Sequence, residues 1–497
     1  MKLSEIITYL ADNVQIEQID EQSLSTEITG IAYDSRKVKP GYLFVAIKGG
    51  SFDGHDFISQ AVEKKAAALL VEQPLGISLE IPVLVSKDSR RTMALIAAHW
   101  WQHPDQKMRM IGVTGTNGKT TTTKLIKWLL ESAGRKTGLI GTIDNQSGDK
   151  ILPATHTTPE SYELFELLHT MKEDDCKNAV LEVSSHGLKQ RRVYGCSFDG
   201  VVFTNLTQDH LDYHVTWEDY LNSKLELFKM ISQKAGQNKY AVVNLDDEVA
   251  EHFLSAATVD VWTYSMKEEA TLRVLDYKFN PSGTDFTLLY RGKKQRVHVP
   301  LIGKFNIYNA LAAMVVALAE GLTLTAIIKY LAKAPQVAGR FELVSEGQDF
   351  KVVVDYAHSP DGLLNVLLAA QDLDPRHLIC VFGCGGDRDK TKRPIMGKIA
   401  AENSDFAVIT SDNPRTEDPF VILDQIEVGV KEGNGRYIIE ENRKAAISAA
   451  IKMAQAGDLV VIAGKGHEDY QLVKGQVLHC DDREIARAAL KEKLKNS

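Results

Sequence analysis

The stretch best equipped for chemistry is RMIGVTGTNGKTTTTKLIKWLL, residues 109–130. An apolar run ends in glycines; a lysine and four threonines then open a segment with helical spacing. Strand, glycine loop and Lys-Thr at a helix start make a phosphate cradle. Loop N–H groups face the phosphates and the helix N-terminus adds partial positive charge. Lys119 would neutralise the terminal phosphates and Thr120 would offer its hydroxyl to Mg²⁺. The strict spacing G-x-x-x-x-G-K-[ST] is not met, because Val113 occupies the place of its first glycine. A plain strand-to-helix turn is the alternative, but it needs neither the lysine nor the hydroxyls.

Two more apolar runs end in metal-type ligands. NAVLEVSS (178–185) brings Glu182 and Ser184 to a strand end, and FTNLTQDHLDYH (203–214) brings His210. An acidic residue at the C-terminal end of a parallel strand lies in the usual ligand crevice, where it can hold Mg²⁺ beside phosphates. Singly, Glu182 also reads as a turn carboxylate and His210 as a structural histidine; two strand ends near one phosphate loop favour a site. In HTTPES (156–161), Thr157 and Thr158 precede Pro159, which suits a first helical position, so hydroxyls and free N–H groups would meet an anion there. Later, GGDRD supplies Arg388, SDNPR supplies Asp412, Asn413, Pro414 and Arg415, and GKGHE supplies Gly464 and Glu468, each after an apolar strand. A ligand that carries both a carboxylate and an ammonium needs a guanidinium fork for the one and an anion for the other. Arg415 and Glu468 meet those needs; a salt bridge internal to the domain is the alternative.

The elements that must position these residues form an α/β pattern in three regions. Residues 1–104 mix short strands and helices around YLFVAIKGG, and HWWQHPDQKM (99–108) reads as a connector broken by Pro104. Residues 105–336 alternate β-branched runs with helical segments, which predicts a mostly parallel sheet covered on both faces. An antiparallel addition is expected at 272–303. Within this region TWEDYLNSKLELFKMI (216–231) is an amphipathic helix, on which Lys224 reads as a solvated lysine. Residues 337–497 alternate again, Rossmann-like, with a helix capped by Asn442 and closed by Gly457 at C′. The chain of 497 residues has a net charge of −8, which argues against a nucleic-acid surface. No stretch is apolar enough to span a bilayer, and MKLSEIITYLADN reads as a helix, not a signal peptide. Five scattered cysteines without CxxC spacing fit reduced thiols in the cytoplasm.

The loop variant GTNGKTT resembles that of the Mur ligases and folylpolyglutamate synthetases, which are ATP-dependent amide-bond formers. The resemblance to the Mur ligases runs through LEVSSHGL (181–188), TNLTQDHLDYH (204–214), YLNSKLELF (220–228), VVNLDD (242–247) and GKFNIYNALAA (303–313). It continues in GRFE (339–342), VVVDYAHSPDGL (352–363), GCGGDRDKTKRP (383–394), SDNPR and GKGHE. The resemblance implies a central P-loop-type ATPase domain, a smaller N-terminal domain for a UDP-sugar and a C-terminal domain for an amino acid. It implies ATP held by Gly115, Thr116, Asn117, Gly118, Lys119, Thr120, Thr121, Asn309 and Arg340. It implies Mg²⁺ held by Thr120, Glu182, His210 and Lys224, the lysine carbamylated by CO₂ into an anion. YDSRKVKPGYLFVAIKG (33–49) resembles the family's uridine site, with Ser35 as the contact, although Asp34 to Arg36 also read as a capped turn. Thr157, Thr158, Ser184, Gln190 and Arg192 are implied to meet the sugar and peptide; a basic turn is the other reading of KQRRVYG.

The expected reaction is ATP-dependent addition of meso-diaminopimelate to the D-glutamate γ-carboxylate of UDP-MurNAc-L-Ala-D-Glu through an acyl phosphate, by a cytoplasmic monomer. No side-chain nucleophile is needed. The alternatives are a lysine-adding relative, a folylpolyglutamate synthetase, or a nucleotide-switched binding protein that hydrolyses ATP slowly. Members that add lysine lack the arginine expected at Arg415.

Overall fold

A computed structural model describes residues 1–10, 14–18, 23–49, 52–76, 79–207, 213–233, 238–280 and 282–496. The strand Arg109–Thr114 is buried from its second residue onward, which its apolar sequence permits only at the centre of a sheet. It lies between Asn178–Glu182 and Gly200–Phe203, parallel to both. The full sheet has eleven strands. Thr137–Ile140, Tyr240–Asn244, Asp260–Ser265 and Leu272–Asn280 continue the parallel part. The hairpins Asn145–Ser147/Lys150–Leu152 and Gly283–Tyr290/Lys293–Val299 extend its two edges antiparallel. The expected antiparallel addition is therefore the second of these, built on Leu272–Asn280.

Helices cover both faces. Leu125, Ile126, Leu129 and Leu130 pack with Ile307, Leu311 and Val315 on one side, and Phe165, Leu168, Leu227 and Phe228 pack on the other. Chain order reverses at Arg109–Thr114, since the next strand in sequence lies two places to one side and Gly200–Phe203 lies on the other. The crevice at this switch point is where an open α/β sheet holds ligands, because helix N-termini and strand C-termini meet there.

A five-stranded sheet, Gln15–Gln18, Val83–Val85, Ala68–Val71, Tyr42–Val45 and Gly30–Ala32, organises the N-terminal unit. A six-stranded sheet organises the C-terminal unit, in the order Glu342–Leu343, Lys351–Asp355, Leu459–Ala463, Leu378–Phe382, Phe406–Ile409, Tyr437–Ile439. A separate two-stranded hairpin pairs Tyr470–Val473 with Gln476–His479. The architecture is thus three α/β units, each with its own sheet.

Three local expectations are corrected. Pro159 is not the first helical residue: the helix is Ser161–Glu173 with Glu160 at its N-cap, so Pro159 lies outside. Asn442 does cap Arg443–Met453, but that helix ends at Ala454 in an extended conformation, so Gly457 turns the chain three residues later at φ +82. His99 and Trp100 belong to the helix Ser89–Trp100, whose buried face reaches Ala98; only the part around Pro104–Gln106 is a connector.

Candidate functional site

The loop after Arg109–Thr114 turns on two glycines with positive φ, Gly115 at +148 and Gly118 at +86. A Cβ on Gly115 would sit 1.9 Å from Thr204 Oγ1, and one on Gly118 would sit 2.3 Å from Asn309 Oδ1. Both positions therefore need glycine for space as well as for backbone angle. The segment after Gly200–Phe203 braces the loop. Thr116 N donates to Asn205 O at 2.8 Å, Asn117 N to Asn205 Oδ1 at 2.9 Å, and Thr204 Oγ1 to Asn117 O at 2.7 Å. The helix Lys119–Ser132 starts directly behind, with Thr120 and Thr121 buried in its first turn. Lys119 Nζ folds back onto Gly115 O and Thr116 O of its own loop at 2.9 and 2.7 Å.

Glu182 is 1% exposed, which removes the turn-carboxylate reading. Its carboxylate accepts from Thr120 Oγ1 at 3.0 Å, Thr142 N at 2.9 Å and Thr142 Oγ1 at 2.9 Å. Among the described residues no cationic side chain forms an ion pair with it. A buried carboxylate supported only by neutral donors has charge left to neutralise, so Thr120 and Glu182 fit a cation. Lys224 is also 1% exposed, so the solvated reading is wrong. The helix Trp217–Gln233 aims it inward, and its Nζ donates to Gly115 O at 2.7 Å and lies 4.5 Å from the Tyr220 ring centre. Glu182 and Lys224 thus converge on the same loop. His210 lies outside the described residues, which contain no group of three His, Cys, Asp or Glu able to hold a metal.

The C-terminal unit reaches this crevice. Arg340 Nη2 donates to Thr120 Oγ1 at 3.2 Å, and its guanidinium lies 4.7 Å from the Tyr356 ring centre. Asp361 accepts from Asn117 Nδ2 at 2.7 Å and Thr207 Oγ1 at 3.0 Å. Two buried nitrogens here, Arg340 Nε and His467 Nδ1, have no hydrogen-bond partner among the described residues. Burial, reinforced by Arg340, pushes the His467 imidazole down to about 3, so it is neutral at physiological pH. Unpartnered polar atoms at a domain junction are what a bound polar ligand would satisfy.

Thr158, 1% exposed, donates to Glu182 O at 2.8 Å and accepts from Ser184 N at 3.0 Å, tying its loop to the Glu182 strand. Thr157 Oγ1 meets Thr142 Oγ1 at 3.0 Å, and Ser184 Oγ caps the short helix behind it. Arg192 donates to Thr158 O at 2.6 Å, grips Gln190 Oε1 at 2.7 Å and pairs with Glu160 at 3.0 Å. Arg90 of the N-terminal unit pairs with the same Glu160 at 3.0 Å. Ser35 lies apart from this cluster, in a turn capped by Asp34, with its hydroxyl on Gln60 Oε1 at 2.5 Å. The capped-turn reading of residues 34–36 is therefore realised in the geometry.

In the C-terminal unit, Asn413 Nδ2 donates to Glu468 Oε2 at 3.1 Å, while Asn413 Oδ1 accepts from fully buried Lys465 at 3.2 Å. Tyr356 Oη donates to Glu468 Oε1 at 3.3 Å. A Cβ on Gly464, at φ +123, would meet Asp412 Oδ2 at 2.6 Å. Arg415 Nη1 donates to Gly386 O at 2.6 Å and forms no ion pair among the described residues, so the internal salt bridge is absent at Arg415, whereas Glu468 does pair with Lys465 at 3.4 Å. Pro414 O packs over Gly386, where a Cβ would sit 1.9 Å away. Arg388 is exposed and makes no side-chain hydrogen bond among the described residues. Beneath these loops Arg393, fully buried, pairs with Glu417 at 2.9 Å.

Sequence reasoning missed Glu160, Asp361, Tyr356 and Lys465. All four lie inside motifs it quoted, but spacing alone could not show that Glu160 pairs with Arg90 and Arg192, that Asp361 crosses to Asn117 or that Tyr356 touches both Arg340 and Glu468.

Comparison with known proteins agrees with this arrangement. Residues 27–109 match the Mur ligase family catalytic domain, 113–317 the Mur ligase middle domain and 339–466 the Mur ligase glutamate ligase domain. The UDP-N-acetylmuramoyl-L-alanyl-D-glutamate–2,6-diaminopimelate ligase of Syntrophomonas wolfei is 48% identical over 496 residues, covering 100% of both chains. A solved structure of a ligase with that same name superposes with a TM-score of 0.69 at 34% identity, covering 99% of each chain. MurF from Thermotoga maritima, solved in complex with ADP, shares the fold with a TM-score of 0.63 at 19% identity, covering 96% of this chain and 100% of its own.

Proposed function

The chain belongs to the Mur ligase family, and from that premise we propose that it is an ATP-dependent ligase adding meso-diaminopimelate to the D-glutamate γ-carboxylate of UDP-MurNAc-L-Ala-D-Glu. The observation that carries this reading is the meeting of buried Glu182 and Lys224 on one lysine-bearing glycine loop, with Arg340 entering from the C-terminal unit. The names of the relatives support the choice of substrates.

In this reading the loop N–H groups of residues 115–118 and the helix start at Lys119 to Thr121 hold the ATP phosphates. Lys119 swings from its loop carbonyls to the γ-phosphate. Asn309 supports Gly118 from behind, and Arg340 balances charge as the phosphoryl group moves. Thr120, Glu182, His210 and Lys224 as its carbamate would hold Mg²⁺, which supplies neutralisation of the phosphate oxygens when bound. Burial of Lys224 supports the carbamate, since a modified anion beside Glu182 and a divalent cation suits the site better than an ammonium would. Thr157, Thr158, Ser184, Gln190 and Arg192 orient the sugar and dipeptide, and Ser35 meets the uridine end. The γ-phosphoryl group passes to the D-glutamate γ-carboxylate. The diaminopimelate amine then attacks the acyl phosphate and inorganic phosphate leaves. Catalysis consists of positioning and charge stabilisation.

The acceptor is held by Arg388, Asp412, Asn413, Pro414, Arg415, Gly464 and Glu468. Glu468 faces an ammonium, and Arg415 takes the distal carboxylate that distinguishes diaminopimelate from lysine. The reading carries a cytoplasmic location, a monomer, and no nucleic-acid or membrane partner; no described helix is long and apolar enough to cross a membrane. The test is phosphate release from ATP with each substrate omitted in turn. Turnover should require both the nucleotide dipeptide and diaminopimelate. ATP hydrolysis indifferent to both would favour a nucleotide-switched binding protein.

A further inference from the structure

The hairpin Tyr470–Val473/Gln476–His479 has no place in the six-stranded sheet. Its strands are four residues each, and its outer strand is exposed throughout. A two-stranded ribbon of this size is marginal on its own. The inner strand instead pairs with the Asp412–Arg415 segment. Arg415 N donates to Leu472 O at 2.9 Å, Lys474 N to Arg415 O at 2.6 Å, and Leu472 N to Asn413 Oδ1 at 3.0 Å. Gln471 adds a side-chain bond, its Nε2 donating to Asp412 O at 2.6 Å. Arg415 itself has φ +54. Left-handed backbone is uncommon for a residue with a side chain, and here the hydrogen bonds on both sides of Arg415 hold it.

We propose that this hairpin is a clamp for acceptor specificity and that Gln471 is a positioning residue within it, setting the angle at which Arg415 meets the acceptor's distal carboxylate. The proposal rests on the reading of Arg415 given above. Gln471 grips the Asp412 carbonyl at one end of the segment, and the hairpin backbone grips Arg415 at the other. Between them, Asn413 is held by Leu472 N and Lys465 and in turn holds Glu468. Releasing the Gln471 end lets Asp412 to Arg415 rotate about the hairpin contact. An acceptor that lacks the distal carboxylate does not use Arg415, so it is insensitive to that rotation. Loss of Gln471 therefore acts on discrimination, not on phosphoryl chemistry.

The experiment measures kcat/KM for meso-diaminopimelate and for L-lysine with full-length enzyme, saturating ATP and nucleotide dipeptide. Wild type, Gln471→Leu, Gln471→Lys and Arg415→Ala are compared. Gln471→Leu, close in size but without the donor, should lower the preference for diaminopimelate about tenfold, the scale of one hydrogen bond. The change should lie in the KM for diaminopimelate, with lysine use and the KM for ATP unchanged. Gln471→Lys keeps an N–H donor of similar reach and should recover most of the preference. Arg415→Ala should lose it. A wild-type preference in Gln471→Leu, or an equal loss with both amino acids, overturns the clamp while leaving Arg415 in its role. A preference that survives Arg415→Ala overturns the reading of Arg415 and the clamp with it.

Discussion

The crevice around the phosphate loop and the acceptor loops of the C-terminal unit are built in opposite ways. Around the loop, Thr120, Glu182 and Lys224 are each below 5% exposed and come from the three adjacent central strands of one sheet and the helices that follow them. In the C-terminal unit, Arg388 is exposed, Arg415 is half-buried, and a peripheral hairpin supplies much of the support. Buried groups on a rigid sheet suit chemistry that must be the same for every turnover, because preorganised charge costs no rearrangement when the phosphoryl group moves. Loops braced from outside suit selection, because their contacts can change without disturbing the core.

The largest effect should come from the buried side of this contrast. Glu182→Ala should lower ligation by about 10²–10³-fold or more, as loss of a preorganised charge stabiliser does. Near-normal turnover, measured by phosphate release, would remove Glu182 from the site. Lys224→Ala should be nearly inactive, and a short carboxylate such as acetate should restore part of the rate by replacing the missing anion. Mass measurement on active wild-type enzyme in bicarbonate should find the added CO₂ on Lys224; an unmodified amine would refute the carbamate.

On the loop side the effect should be one of preference. Arg415→Ala should lose most of the discrimination against lysine. Leaving a charged donor unpaired costs about 1–3 kcal/mol when it is buried and less when, like Arg415, it is half-buried, and each 1.4 kcal/mol is about a decade. Competition between the two amino acids measures it; a wild type that uses lysine equally well would sink the acceptor assignment and leave the ligase intact.

The smallest effect concerns the support beneath those loops. Arg393 holds Glu417 down to about 2 from an ordinary 4.5. A carboxylate depressed on folding contributes stability that is fully present above its unfolded value and lost as pH falls through the folded one. Stability should therefore fall from pH 4.5 toward about 2, and Glu417→Gln should flatten that part of the curve. Unchanged acid unfolding in the variant would assign the acid sensitivity elsewhere.

Much of the crevice was legible in the chain. The glycine–lysine–threonine loop, the carboxylate ending an apolar strand and the alternation of strand and helix all follow local rules of backbone angle and hydrophobic period. Lys224 was legible only through the family resemblance: amphipathic spacing tells which residues lie on one face, but a lysine within that pattern reads as solvated until the opposing sheet is known. Pro159 and Gly457 misled for a related reason. Each is compatible with a helix end, but residue type alone does not fix which residue leaves helical backbone, here Glu160 before Ser161 and Ala454 after Met453.

Sequence by itself determined the phosphate loop, the parallel sheets and the roster of polar residues at strand ends, because these depend on contacts within a few residues and on a repeating apolar pattern. Tertiary structure alone decided that Arg340, Asp361 and Thr120 share one crevice, that Tyr356 touches both Arg340 and Glu468, and that a hairpin some sixty residues away in sequence holds Asp412. Those pairings carry no local period. They arise when separately folded sheets dock and bring distant donors within the roughly 3 Å that a hydrogen bond requires.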